Sequence, residues 1–234
     1  MRHNFVFLAI PIVLACLVTT SFGQKRKPNP VMQPIEDAPG LPRVLLIGDS
    51  ISIGYTLPVR KQMEGKANVH RPLTNCSSTR TGKDQLKKWL GDQPWDVIHF
   101  NFGLHDLKYV VGDTAKLVDL ATEGSHKQVP IDEYGDNLRE IVKELKKTKA
   151  KLIWCSTTPV PDGARGRIAK DAVAYNSVAK KVMTEADITI NDLHAFAAPQ
   201  LQKIQRKADV HYTPAGSEVL ATQVTKSILA ALGE

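Results

Sequence analysis

Three short apolar runs constrain this chain more than any other feature: Arg43–Gly48 (RVLLIG), Val97–Phe102 (VIHFNF) and Lys151–Ser156 (KLIWCS). Each has strand length, and the first is a continuous apolar run, the pattern of a strand buried on both faces. Two weaker strands are expected at Asn68–Arg71 and Ile188–Asn191. Helical segments fall between them, at Ile51–Glu64, Lys83–Leu90, Asp132–Lys147 and Asp171–Ala186, and Ala215–Leu232 closes the chain. Pro58 makes the middle of the first one uncertain. Asp132–Lys147 has Tyr134, Leu138, Ile141, Val142 and Leu145 on one face; Val173, Val178, Val182 and Met183 are the core candidates of the next helix. Such alternation predicts an α/β domain with parallel strands and helices on both faces. There is no internal repeat and no sign of a second domain.

The 234 residues are 42% hydrophobic and 24% charged, which excludes disordered, collagen-like and coiled-coil classes. The formal charge is +7, but Lys and Arg are scattered and no aromatic-interleaved basic stripe appears, so nucleic acid is not an expected partner. Arg2 and His3 precede an apolar run from Phe5 to Val18 and a small-residue exit ending at Gly23. This reads as a secretory signal over residues 1–23, too short for a stable membrane span, and implies a secreted or periplasmic protein. Val13-Leu14-Ala15-Cys16 loosely resembles a lipoprotein box, but Leu14 fits it poorly. Residues 24–42, rich in Pro and charge, read as an extended linker. Cys76 and Cys155 then remain; they match no zinc motif, and either a disulfide or two buried thiols is compatible with their positions.

In parallel sheets, loops leaving the strands' C-terminal ends gather at one edge and build the site. Ser50 follows the first strand in Gly48-Asp49-Ser50, at a helix start, where backbone N–H groups can hold an oxyanion. His211 precedes the last helix, with Asp209 beside it. Ser, Asp and His in these places suit a nucleophile, an orienter and a base: the hydroxyl needs an imidazole to take its proton, and the imidazole needs a carboxylate to fix its tautomer. A bare Gly-Asp-Ser tripeptide is more often a turn or a cap, so the weight rests on joint placement at strand ends.

These residues resemble the SGNH hydrolases, the GDSL esterase/lipase superfamily, over Arg43 to Leu232. Gly48-Asp49-Ser50 matches the first block, and His211 followed by Tyr212-Thr213-Pro214-Ala215-Gly216 matches the last. The resemblance implies a flavodoxin-like, single-domain α/β/α sandwich of about five parallel strands at 43–234. Gly82, in the loop Asn75–Gly82, matches the second block, so the resemblance implies an oxyanion hole from the N–H groups of Ser50 and Gly82, and a serine esterase needing no metal or organic cofactor. There are two departures. The third block reads Gly103-Leu104-His105-Asp106, placing His105 where the family has a side-chain Asn donor, with Asn101 as an alternative donor. In the fifth block Asp209 stands two residues before His211, where the family places Asp three before.

The long segment Leu107–Val129, with Lys108, Tyr109, Lys116, His126 and Lys127, and the loop Pro159–Ile168, with Asp162, Arg165 and Arg167, are candidate rims; their charged residues are each expected to face solvent. The expected substrate is a small-molecule or polysaccharide ester, with short acyl groups on sugars favoured because no apolar stretch advertises an acyl-chain tunnel. A lysophospholipase or thioesterase, a transferase moving acetyl onto polysaccharide, and a non-catalytic carbohydrate-binding relative are the competing readings.

Overall fold

The computed structural model describes residues 29–234, together with Met1 and His3. The expected signal segment and Cys16 lie outside the described residues. In chain order the elements are β1 (Arg43–Ile47), α1 (Ser50–Gln62), β2 (Asn68–His70), α2 (Thr79–Leu90), β3 (Val97–Phe100), β4 (Tyr109–Val111), β5 (Ser125–Lys127), α3 (Ile131–Lys146), β6 (Lys151–Cys155), α4 (Ala169–Glu185), β7 (Thr189–Asn191), α5 (Leu193–Ala197), α6 (Leu201–Ile204) and α7 (Pro214–Leu232). Five strands form one parallel sheet in the order β2-β1-β3-β6-β7. The apolar runs account for its centre: Val44 to Ile47 of β1 and Val97 to Phe100 of β3 are all but inaccessible, paired in register from Val44↔Val97 to Ile47↔Phe100.

Strand order reverses once. The chain steps from β1 outward to β2, then returns across β1 to β3 and continues to β6 and β7. Right-handed crossovers therefore put α1 on one face and α2, α3 and α4 on the other. The packing agrees: α1 lies against α7, whereas α2, α3 and α4 pack in series. The crevice of the switch point opens between the C-terminal ends of β1 and β3, the two strands that lead into Ser50 and His105. Among the described residues no helix is long and apolar enough to cross a membrane.

Several local expectations are revised. Helix α1 runs through Pro58, because the carbonyl that loses its bond belongs to Gly54, an exposed residue with no Cβ. Val173 of α4 is exposed, and Ala172, Tyr175, Ala179, Val182 and Met183 make the buried stripe instead. Leu107–Val129 is not a plain loop: β4 and β5 pair antiparallel, Tyr109↔Lys127 to Val111↔Ser125. Three-residue strands leave too little alternation to read. Residues 29–42 are tied down and not wholly extended, since Pro30–Met32 form one 3₁₀ turn capped by Asn29. Val31 is buried, and the Asn68 side chain accepts from Ala38 N–H at 2.8 Å and donates to the Ala38 and Leu41 carbonyls.

Candidate active site

The turn after β1 is built for a tight start of α1. A Cβ on Gly48 would lie 2.7 Å from the Ser52 Cβ, so only glycine lets the strand close on the helix there. Asp49 then caps α1, its Oδ1 accepting from Ile51 N–H at 2.9 Å. Ser50 thus becomes the first helical residue, at the end where backbone N–H groups lack intrahelical partners. Its Oγ lies 2.9 Å from His211 Nε2.

His211 is held by the segment ahead of α7. Arg206 N–H donates to His211 O, Thr213 N–H donates to Ile204 O, and the Gln205 side-chain amide donates to the Pro159 and Val210 carbonyls. Thr213 caps α7 and Pro214 opens it, a helix start the sequence announces. The short Asp209–His211 spacing has a geometric answer. One carboxylate oxygen, Oδ1 of Asp209, accepts both the backbone N–H of His211 at 3.1 Å and its Nδ1 at 2.7 Å. An Asx-type turn thereby brings a carboxylate two residues upstream onto the ring; Ala208, just before it, sits in the left-handed region at φ 52°. Partial burial works to raise the Asp209 carboxyl, but the N–H groups and charge of His211 outweigh it and hold the group below its usual value.

The third block lies across the crevice. Gly103 has φ 153°, and a Cβ there would meet Thr157 Oγ1 at 2.0 Å, so glycine is required. His105 follows, its Nδ1 lying 3.2 Å from Ser77 Oγ and 3.3 Å from Lys108 Nζ. Burial, with Lys108, Arg167 and His211 nearby, lowers the imidazole to about 4 despite the charge of Asp49, so the ring is neutral at pH 7. Asn101, the alternative donor, is buried and its amide donates to Cys155 O at 2.7 Å, bracing the ends of β3 and β6.

Gly82 does not take the place expected of it. It lies inside α2, where its N–H donates to Ser78 O at 2.9 Å, and a Cβ there would sit 2.7 Å from the Phe102 ring. This glycine serves close packing of α2 on the sheet. The loop residue beside His105 is Ser77, with φ 57°, its N–H held by Asn75 Oδ1 at 2.9 Å. Lys108, expected in solvent, is 6% exposed and points inward. Arg167 is half-buried, its Nε donating to Leu104 O at 3.0 Å, whereas Arg165 stays exposed in a bidentate pair with Asp119. Cys76 and Cys155 are free, buried thiols, burial pushing Cys76 up to about 11; no disulfide braces the second-block loop. Ser77, Lys108 and Arg167 belong to no motif, and only the folded loops bring them together.

An open groove of about 520 Å³ begins at Ser50 and His211 and runs between α1 and α7. Ile53, Leu57 and Tyr212 give it apolar wall, and Arg206, Ser217 and Glu218 make the rest polar.

Comparison with known proteins bears on the family and the fold. Residues 46–219 match the model of the GDSL-like lipase/acylhydrolase family. No curated protein sequence matches the chain. Among solved structures it is similar to an acetyl xylan esterase, AlAXEase, at 14% identity and TM-score 0.65, covering 80% of this chain and 99% of that one. A lipase/acylhydrolase from Enterococcus faecalis is similar at 18% identity and TM-score 0.65, over 81% and 96%. A catalytic mutant of Axe2, an acetylxylan esterase from Geobacillus stearothermophilus, is similar at 18% identity and TM-score 0.63, over 80% and 94%. At these identities the likeness carries the fold. With the family model covering about three quarters of its length, the chain belongs to the GDSL-like lipase/acylhydrolase family, the SGNH-type carboxylic ester hydrolases.

Proposed function

We propose that the protein is an exported serine esterase that removes short acyl groups, acetyl foremost, from a carbohydrate. The observation that carries this reading is the 2.9 Å contact between Ser50 Oγ and His211 Nε2, in line with the 2.7 Å contact from His211 Nδ1 to Asp209. His211 takes the Ser50 proton as the hydroxyl oxygen attacks the ester carbonyl, and Asp209 stabilises the imidazolium that forms. The tetrahedral oxyanion is held by Ser50 N–H and by a ring N–H of His105. Collapse breaks the bond to the alcohol oxygen, which leaves with the proton from His211. Water, deprotonated by His211, then releases the acid and restores Ser50.

The groove is open and mostly apolar, with Arg206, Ser217 and Glu218 placed to hydrogen-bond hydroxyls, a lining that can take a short acyl group carried on a sugar. Two of the similar folds are named as acetyl xylan esterases, which makes acetylated xylan the first polysaccharide to try. The test is acetate release from acetylated polysaccharides, alongside p-nitrophenyl acetate and octanoate. Turnover of acetate esters is expected, with Ser50→Ala losing at least about 10³-fold. A strong preference for octanoate would sink the short-acyl reading, and an unimpaired Ser50→Ala variant the serine mechanism. Export is checked by sequencing the mature N-terminus, expected at Gln24.

A further inference from the structure

We infer that Lys108 is a positioning residue that, with Ser77, locks the His105 imidazole as the tautomer protonated on Nε2, giving the oxyanion a fixed, uncharged N–H donor. The lock rests on the ester-hydrolase reading only for its use; the tautomer itself follows from the contacts of Nδ1.

Two groups face that nitrogen. Ser77 Oγ, at 3.2 Å, can either give or accept a hydrogen bond and alone leaves the tautomer open. Lys108 Nζ, at 3.3 Å, can only give. It is itself fixed, donating to Ala115 O at 2.8 Å, and among the described residues no carboxylate lies within ion-pair distance of it. Nδ1 must therefore accept, and the one proton of a neutral ring goes to Nε2. Nε2 has no partner among the described residues.

Charge adds to the geometry. Asp49 at the start of α1 favours an imidazolium at His105. Lys108 from the same loop, Arg167 from the loop before α4 and His211 from the loop before α7 oppose it, and burial opposes it most. An unrestrained histidine would share its proton between both nitrogens, turning a lone pair towards the oxyanion for part of the time. A buried ammonium three residues downstream removes that state. In this way an imidazole does the work of the amide donor it replaces: one N–H, neutral and fixed in direction.

The experiment joins ring spectroscopy to a double-mutant cycle. Nitrogen-15 NMR of the histidine rings near pH 6 is expected to find His105 neutral and protonated on Nε2; a proton on Nδ1 would refute the lock. This readout needs no turnover, so its result is separate from whether the protein hydrolyses esters. With p-nitrophenyl acetate, Lys108→Met is expected to lower kcat about 10- to 100-fold with KM within about twofold, less than the loss of a whole oxyanion donor. His105→Asn supplies a donor with no tautomer to fix, so Lys108→Met in that background should cost little more. Equal losses in both backgrounds would mark Lys108 as a packing residue and overturn the inference. Should Lys108→Met fail to fold, the wild-type ring spectrum still decides.

Discussion

Moving a carboxylate one position nearer to the base changes what that carboxylate can be asked to do. Asp209 reaches His211 by accepting its backbone N–H and its ring Nδ1 with the same oxygen, so the backbone bond fixes which atom faces the ring. An asparagine here has the same reason to present its carbonyl oxygen, and would keep Nδ1 as donor. Asp209→Asn then loses only the charge opposite the imidazolium, and that charge is about 39% exposed and partly screened. The expected fall in kcat is about 10- to 100-fold, against about 10⁴ where the same change flips the tautomer. Asp209→Ala loses orientation as well and should cost about 10³- to 10⁴-fold. Turnover of p-nitrophenyl acetate by the two variants decides it, and equal damage would refute the Asx-turn account. At this scale the meeting of Ser50 with His211 was legible from motif and placement alone. Lys108 and Ser77 were not, because a lysine three residues after a histidine says nothing until the loop is folded. Gly82 was misread for the opposite reason: its neighbourhood looked like a motif, while its packing partners, Phe102 and Ile141, lie elsewhere in the sequence.

Among the elements, those whose caps are local could be read closely, and those capped from afar could not. Helix α7 opens on Thr213-Pro214, and its expected start at Ala215 is one residue late. Helix α2 was expected from Lys83 but begins at Thr79. There Asp106, from beyond β3, accepts from both the N–H and the hydroxyl of Thr79. A helix start supplied by another loop leaves no local signature. The hairpin β4–β5 escaped for a related reason: it is fastened by Tyr109 N–H to Gly166 O and by Gln128 N–H to Lys108 O, not by an apolar pattern of its own. At α7 the fit is tight enough to test. A Cβ on Gly216 would lie 2.0 Å from Ile204 O, so Gly216→Ala must push α7 from the segment that carries His211. Overpacking of this kind costs about 1–3 kcal/mol, or about 2–12 °C in Tm for a domain of this size. Activity should fall along with Tm, since Thr213 links helix cap and base loop; an unchanged Tm would show the contact to be soft.

For the molecule as a whole, the strand order was not written in any one segment. It contains one reversal, between the step from β1 to β2 and the return to β3, and that reversal puts the ends of β1 and β3, with Ser50 and His105, at a shared crevice. The same burial that builds the crevice couples stability to pH. His99 and His105 are both lowered to about 4, by burial first, whereas burial raises Asp106 to about 7. The two histidines contribute stability above about pH 6.5 that is lost as pH falls through about 4. Asp106 acts the other way: its contribution is complete below about 3.8, its unfolded value, and is lost as pH rises through about 7. Between about pH 4 and 6.5 it therefore offsets one histidine. Each of these groups alters the pH slope of the unfolding free energy by about 1.4 kcal/mol per unit. Asp106→Asn should steepen the loss of stability on acidification by about that amount, while His105→Asn should flatten it equally. Denaturant unfolding at several pH values between 4.5 and 6.5, an interval set by these shifts, measures both slopes. If the slopes of the two variants coincide with the wild type, these buried groups do not govern the acid response of the fold.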